Sequence, residues 1–420
     1  MGQDWDKLNS QDYITQEQKY LANDYKPIPV VLSKAEGIWV WDKEGKKYLD
    51  FLSAYSTVSA GHCNPRIIKA LTDQLSNLDI PSRAFFSDRL GPYAEYLCEL
   101  TGLGKMIPMN TGAEAVETAV KAARRWGYRV KGIPKNKAKI IVSDNNFHGR
   151  TTTVISFSTN EKYKEDFGPF DGGFEAVPFG DADALEAAIT PETCAFLTEP
   201  IQGEGGIIMP PENWLKRVQE ICKKHNVLLI LDEIQTGLGR TGKNFTWQHY
   251  IDKPDGVCLG KALGGGIFPV SAFVARKEII ELFGPGSHGS TFGGNPIGAA
   301  VALESLKFLQ EENLAEHADE LGKYLRQKLR DMNSPLITDV RGKGLLIGME
   351  LDGSKVNARD VCIRLKEEGV LCKETRDTII RFAPPLVIQK DDVDWAMERV
   401  EKVLAEFARE TSTKKEPALA

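Results

Sequence analysis

At 420 residues the chain is about 2.8 average domains long, so two domains with a short appendage are expected. Apolar residues make up 42% and charged residues 27%, which excludes disordered, collagen-like and low-complexity architectures for most of the chain. Fifty-three Lys+Arg against 59 Asp+Glu leave a net charge of −6 without a basic block, so neither a nucleic-acid nor a membrane-surface partner is implied.

In chain order, the opening Met1–Ser10 is polar and acidic and lacks the basic and apolar stretches of a leader peptide. Gly2 is followed by Asp6 where a myristoylation signal needs Ser or Thr. Gly37–Asp42 alternates, turns at Lys43-Glu44-Gly45 and resumes over Lys47–Phe51, the pattern of a β-hairpin. From about residue 95 to 300, helix-period segments alternate with short apolar runs: Lys139–Val142, Thr153–Ser156, Ala195–Leu197, Val227–Leu231, Gly256–Leu259 and Val270–Val274. Val227–Leu231 is apolar at every position, as a strand covered on both faces must be. Ala113–Trp126 and Asn213–His225 have helical spacing, so a mainly parallel α/β sheet with helices on both sides is expected. Beyond about 300, two helical stretches precede an apolar run at Leu345–Leu351 and a helix near Ala358–Glu368. A strand around Ile379–Phe382 and a last helix from Val393 to about Phe407 complete a smaller α+β unit. The expected division is 1–55 as an N-terminal segment packing with the small unit, 56–301 as the large domain, 302–410 as the small domain and 411–420 as a frayed tail.

No run approaches the roughly 18 apolar residues of a membrane span. The cysteines, at 63, 98, 194, 222, 258, 362 and 372, include no C-x-x-C pair, so free thiols and a cytoplasmic location are expected. The six histidines show no metal spacing, and packing or helix capping is the reading for each, His148 included. Gly237-x-Gly239-x-x-Gly242 matches a dinucleotide fingerprint, but no convincing helix follows and no strand ends in an acid about 20 residues on, so nucleotide binding is set aside.

Ligands of open α/β sheets bind outside the carboxyl ends of the strands. Asp232 directly follows Val227–Leu231, and Lys261 follows Gly256–Leu259. A carboxylate to hold a pyridine nitrogen protonated, and an amine to hold an aldehyde as an imine, are what a pyridoxal phosphate site requires. Taken singly, each is equally an ordinary strand-end Asp or exposed Lys. Asn110-Thr111-Gly112-Ala113-Glu114 opens a helix whose first N–H groups can bind a phosphate. Thr111-x-x-Glu114 is also a plain capping box, and both readings can hold. A second small-residue loop, Gly289–Asn295, precedes another helix and offers the Ser290 and Thr291 hydroxyls.

With these pieces together, the chain resembles the class III pyridoxal-phosphate-dependent aminotransferases of the aspartate-aminotransferase fold (fold type I), from about Gln18 to Phe407. Within them it is most similar to the branch that acts on ornithine. The strings that carry the resemblance are Asp24-Tyr25-Lys26-Pro27, Ser53-Ala54-Tyr55-Ser56, Asn146-Phe147-His148-Gly149-Arg150-Thr151, Glu199 to Glu204, Leu231 to Gly237, Leu259-Gly260-Lys261-Ala262 and Ile379 to Pro385. The resemblance implies a PLP/PMP ping-pong transfer of the δ-amino group of L-ornithine to 2-oxoglutarate. It gives Lys261 the covalent tether and proton shuttle, Asp232 the ring nitrogen, Phe147 the ring face and Gln235 the phenolic oxygen. Thr111, Gly112 and Ala113 would hold the phosphate, with Ser290 and Thr291 reaching the phosphate of a neighbouring subunit in a homodimer with composite sites. Tyr25 and Arg150 would hold the carboxylate distant from the reacting carbon; Arg381 would hold the α-carboxylate of glutamate or 2-oxoglutarate, with Glu204 neutralising it when ornithine is bound. Tyr55 marks ornithine enzymes against 4-aminobutyrate enzymes, which carry an aliphatic residue there, and acetylornithine enzymes lack the Ser-Ala-Tyr-Ser string. His148 departs from the tryptophan of animal members and bears on local packing. The alternatives are an acetylornithine or 4-aminobutyrate aminotransferase, or a non-catalytic binding protein on the same fold.

Overall fold

The computed structural model describes residues 7–413. Met1–Asp6, read above for a leader or lipid signal, therefore lie outside the described residues, as do 414–420 of the expected tail. Strands β1 (Leu32–Glu36), β2 (Trp39–Asp42) and β3 (Lys47–Asp50) form an antiparallel meander. The hairpin expected from the sequence is β2–β3, with Val40 opposite Tyr48. β1 is mostly exposed, and its Leu-Ser-Lys-Ala-Glu offers no apolar alternation that would reveal it.

Seven strands then build the main sheet: β4 (Lys105–Met109), β5 (Lys139–Ser143), β6 (Phe174–Val177), β7 (Thr193–Thr198), β8 (Leu228–Asp232), β9 (Gly256–Leu259) and β10 (Ser271–Ala275). Their order is β4-β10-β9-β8-β7-β5-β6. β9, β8, β7, β5 and β6 run parallel, and β10 is antiparallel to both its neighbours. The continuous apolar run in β8 has a direct structural cause. Leu229 and Leu231 pack into one core with Trp214, Leu215 and Val218 of the helix Trp214–Lys224. Leu228 and Ile230 pack into the other with Ala115, Val116 and Ala119 of the helix Gly112–Trp126. Each of the Leu, Ile and Val side chains among these, withdrawn from water, contributes roughly 1.5–3 kcal/mol.

Thr153–Ser156, expected as a strand, is instead the end of a short helix, Thr152–Ser156. Its β-branched residues favour extended backbone, but Thr151 caps the turn by accepting from the Val154 N–H. The Thr151 hydroxyl also donates to Glu117 at 2.6 Å, which ties the cap to the neighbouring helix.

The C-terminal part contains β11 (Ile337–Lys343), β12 (Leu346–Leu351), β13 (Val370–Leu371), β14 (Lys373–Thr375) and β15 (Ile379–Phe382). Four of them form an antiparallel sheet in the order β11-β12-β15-β14, while β13 pairs parallel with β3 and completes the N-terminal sheet. The last helix, Lys390–Thr413, is longer at both ends than expected, so residues 411–413 are helical where a frayed tail was anticipated. No described helix is long and apolar enough to cross a membrane.

Candidate active site

The parallel strands deliver their chemistry at one edge. Asp232 is the last residue of β8, Glu199 follows β7, Lys261 follows β9 after Gly260, and Asn146–Gly149 follow β5. Asp232, Glu199, Lys261, Phe147, His148 and Gln235 wall a cavity of about 200 Å³, with Gly112 and Ala113 at its far side. The helix beginning at Gly112 is capped by Thr111, whose hydroxyl accepts from Glu114 N–H. The Glu114 carboxylate turns back to accept from the Asn110 and Thr111 N–H groups at 2.8 and 2.9 Å. The N–H groups of Gly112 and Ala113 have no acceptor within their own helix and point at the cavity end where an anion is favoured. A Cβ on Gly112 would stand 3.0 Å from the Ile234 side chain, so glycine lets this helix start approach the strand end.

Asp232 is buried and fixed from two sides: its Oδ1 accepts from Ile234 N–H at 3.0 Å and its Oδ2 faces Nδ1 of His148 at 2.7 Å. Burial disfavours a charge on His148, but the hydrogen bond and charge of Asp232 outweigh it and push the imidazole above its ordinary value. Behind them, burial pushes Glu199 up to about 7, with Asp232 adding to the rise and His148 opposing it. The Glu199 carboxylate accepts from the N–H groups of Phe147 and Gly203, both at 3.1 Å. Burial pushes the Lys261 ammonium down from its ordinary value, Glu204 pulls it back up and Arg381 pushes it down again.

A second cavity of about 950 Å³ opens beside the first and is lined by Tyr25, Tyr55, Arg150, Tyr163 and Glu204, among others. Between the two lies a charged cluster. Arg381, on β15 and buried, donates to Glu204 Oε1 at 2.7 Å and to Gln235 Oε1 at 3.3 Å, while Gln235 Nε2 donates to the same Glu204 oxygen at 3.1 Å. Burial alone would push the Glu204 carboxyl up; the Arg381 guanidinium overrides it and holds the group at about 2. The loop carrying Glu204 is held from the C-terminal sheet. Arg341 on β11 donates to the carbonyls of Gly206 (2.8 Å) and Ile207 (3.0 Å), and the Thr375 hydroxyl donates to the Glu204 carbonyl at 3.0 Å. A Cβ on Gly203 would fall 2.0 Å from the Gln235 amide oxygen, so a larger residue there would displace the Gln235 amide from its place.

Tyr55 stands 5.2 Å from the Arg381 guanidinium, ring centroid to Cζ. It reaches this place from an unusual backbone: Ser53, Ala54, Tyr55 and Ser56 have φ of 50°, 45°, 61° and 73°, a single turn of left-handed helix without a glycine. Asp50 steadies its start by accepting from the N–H groups of Leu52 and Ser53 at 2.8 and 2.9 Å.

The structure thus brings together Lys261, Asp232, Gly112, Ala113, Phe147 and Gln235 around one cavity, and Tyr25, Tyr55, Arg150 and Glu204 around the other. Thr111 lies with Lys261 along an adjoining recess. Ser290 and Thr291 line none of these. Ser290 accepts from the Asn110 side chain at 2.8 Å, and Thr291 lies along a separate groove with Ile80–Ser87. Sequence reasoning treated His148 as packing and passed over Glu199. His148 is instead the hydrogen-bond partner of Asp232, which no spacing reveals because β5 and β8 meet only through the strand order. Glu199 was within reach of the strand-end rule that found Asp232. Among the described residues no cluster of His, Cys, Asp and Glu could hold a metal ion.

The family model for aminotransferase class III matches residues 20–404. The chain belongs to the class III aminotransferases. Within the family, the ornithine aminotransferase of Brevibacillus brevis is 56% identical over 393 residues, 93% of this chain and 97% of that protein. That of Bacillus subtilis is 55% identical over 397 residues, 94% and 98% of the two chains. The ornithine aminotransferase of Toxoplasma gondii, crystallised with partial occupancy of PLP at its active site, superimposes with a TM-score of 0.95 at 44% identity, covering 96% of each chain. The acetylornithine aminotransferase of Elizabethkingia anophelis superimposes with a TM-score of 0.87 at 48% identity, covering 95% of this chain and 99% of that one.

Two predictions follow from this aminotransferase's site geometry. Left-handed backbone costs a residue with a Cβ about 1–2 kcal/mol, and Ala54 is exposed with nothing to lose but that cost. Ala54→Gly should therefore stabilise the protein by about 0.5–1 kcal/mol, net of the greater freedom glycine gives the unfolded chain; a lowered urea midpoint would refute it. Glu199, raised from an ordinary value near 4.5 to about 7, stabilises the fold through its proton. That contribution is complete below about 4.5 and lost as pH climbs through about 7. Wild type should lose more stability between pH 5 and pH 8 than Glu199→Gln, as read from denaturant midpoints at the two pH values.

Proposed function

We propose that this class III aminotransferase uses pyridoxal 5'-phosphate to move the δ-amino group of L-ornithine to 2-oxoglutarate. The products are glutamate 5-semialdehyde, which cyclises to pyrroline-5-carboxylate, and glutamate. The observation that carries the reading is the Arg381–Glu204 pair at 2.7 Å, set between the Lys261 cavity and an open cavity that holds Arg150. It is supported by the relatives at 55–56% identity that bear the ornithine aminotransferase name.

The side chains around the smaller cavity fit the cofactor: an amine, a carboxylate, two helix-start N–H groups and an aromatic face converge on about 200 Å³. When bound, pyridoxal phosphate supplies an aldehyde for the amine and an electron-poor ring that stabilises negative charge at the reacting carbon. Gly112 and Ala113 N–H, with the Thr111 hydroxyl, would hold the phosphate. Asp232 would accept from the ring nitrogen, and His148 holds that carboxylate in place. Phe147 would cover one face of the ring. Gln235 spends one N–H on Glu204 and has a second for the phenolic oxygen. Lys261, its ammonium pushed down by burial, would serve as the base that takes the proton from the substrate carbon.

Selectivity follows from charge. Both substrates present a carboxylate far from the reacting carbon, and Tyr25 with Arg150 receives it. Only the oxo acid carries a second carboxylate, beside the reacting carbon, and it takes the Arg381 guanidinium in place of Glu204. With ornithine, Glu204 stays on Arg381, so no buried cation is left uncompensated. Tyr55, against Arg381, narrows the space beside that pair.

A homodimer with composite sites belongs to the same reading. Its support is the groove along Ile80–Ser87 and Thr291, where Phe85 and Phe86 are 70% and 104% exposed. The chain divides in this reading at about residues 55 and 301, and the pairing of β13 with β3 supports the packing of the N-terminal segment with the small unit. A cytoplasmic setting is favoured by the seven cysteines, all free thiols.

Purified protein should carry a visible cofactor band that ornithine bleaches and 2-oxoglutarate restores, and Lys261→Ala should abolish turnover. Ornithine ranking below N-acetylornithine or 4-aminobutyrate in kcat/KM would overturn the substrate assignment. For the assembly, Phe86→Asp should shift the elution volume from dimer to monomer and lower activity at least tenfold.

A further inference from the structure

The two arginines that serve carboxylates in the proposed reaction are held in opposite ways. Arg381 is engaged by a carboxylate at 2.7 Å. Arg150, on the open cavity, forms no ion pair or hydrogen bond with another described residue; its guanidinium lies 3.8 Å from the centroid of the Tyr163 ring and 5.5 Å from that of Phe147. Tyr163 is itself placed. It closes the turn Glu161–Tyr163, which Asn160 caps by accepting from the Lys162 N–H at 3.1 Å, and its ring meets Phe147 edge-on at 6.0 Å and 76°. Phe147 in turn walls the Lys261 cavity.

We infer that Tyr163 is a positioning and specificity-determining residue, whose ring face orients Arg150 to receive the carboxylate distant from the reacting carbon. An aromatic face attracts a guanidinium and fixes its plane without occupying its N–H donors. A carboxylate in the same position would also hold the side chain, but an incoming substrate would have to displace it. Arg150 is thereby oriented and uncompensated at once, so its full set of donors is free for a bidentate contact with an anion. The row Phe147, Tyr163, Arg150 also sets the distance between the cofactor cavity and that anion, selecting chain length in both substrates. The inference rests on the proposed reaction for the identity of the carboxylates, not for the geometry.

The test uses the cofactor-loaded full chain with Tyr163→Leu and Tyr163→Phe, and three readouts. Tyr163→Leu should raise KM for ornithine and for 2-oxoglutarate about three- to fivefold while kcat stays within about 1.5-fold, the size expected for one solvent-exposed cation–ring contact. The dissociation constant of glutarate, by calorimetry, should rise by a similar factor. kcat/KM for 1,4-diaminobutane, which is ornithine without its carboxylate, should not change. Tyr163→Phe, which keeps the ring, should match wild type in all three. If Tyr163→Leu does not fold, Tyr163→Gln removes the ring with a side chain suited to the polar turn. Unchanged glutarate binding in the ringless variant, or an equal loss in Tyr163→Phe, overturns the inference. A wild-type enzyme that ignores ornithine, yet loses glutarate binding on Tyr163→Leu, would sink the substrate assignment and leave the role of Tyr163 standing.

Discussion

Arg381 carries a full charge into a place where about 1% of its surface meets solvent, and the site is organised around what makes that tolerable. Taking a guanidinium out of water costs several kcal/mol unless a carboxylate and further acceptors replace the lost hydration. Glu204 and the Gln235 amide oxygen do so, yet Nε of Arg381 keeps no partner among the described residues. The pair is therefore held together strongly but is not saturated. An anion arriving beside Arg381 meets a buried cation with a donor to spare and one carboxylate already on it.

The same economy of charge governs the cofactor cavity. Asp232, Glu199, His148 and Lys261 stand at the ends of four neighbouring segments, and the charge of Asp232 acts on the other three. His148 is pulled toward its charged form by Asp232, and Glu199 is pushed toward its neutral form by burial. The shifts of Glu199 and Lys261 run in the direction that lowers the number of charges packed around Asp232: Glu199 is raised toward its neutral form and Lys261 is lowered toward the free amine.

Much of this was legible in the sequence because it follows from strand ends. β8 declares itself by five consecutive apolar residues, and Asp232 then falls where an open α/β sheet binds its ligands. Lys261 follows from the same rule applied to β9, and the Thr111–Glu114 capping box marks the helix start beside it. What stayed hidden depends on contacts between distant segments. Thr152–Ser156 reads as extended from its β-branched residues, and only the Thr151 cap and packing on the helix Gly112–Trp126 make it helical. The left-handed turn at Ser53–Ser56 contains no glycine to announce it, because Asp50 and the surrounding fold impose it. The contact of His148 with Asp232 depends on the crossover order of the sheet, which spacing along the chain does not encode.

The grip of Arg341 on Gly206 and Ile207 ties two parts of the molecule mechanically. Arg341 belongs to β11, and Thr375, which holds the Glu204 carbonyl, belongs to β14 of the same sheet; the loop they grasp springs from the end of β7 in the other. Arg381 rides on that same C-terminal sheet. A rigid shift of this sheet would thus drag lock and key in unison, preserving their mutual distance while changing their reach toward Lys261. The distance between Arg381 and Glu204 is thereby insulated from the larger flexing of the protein.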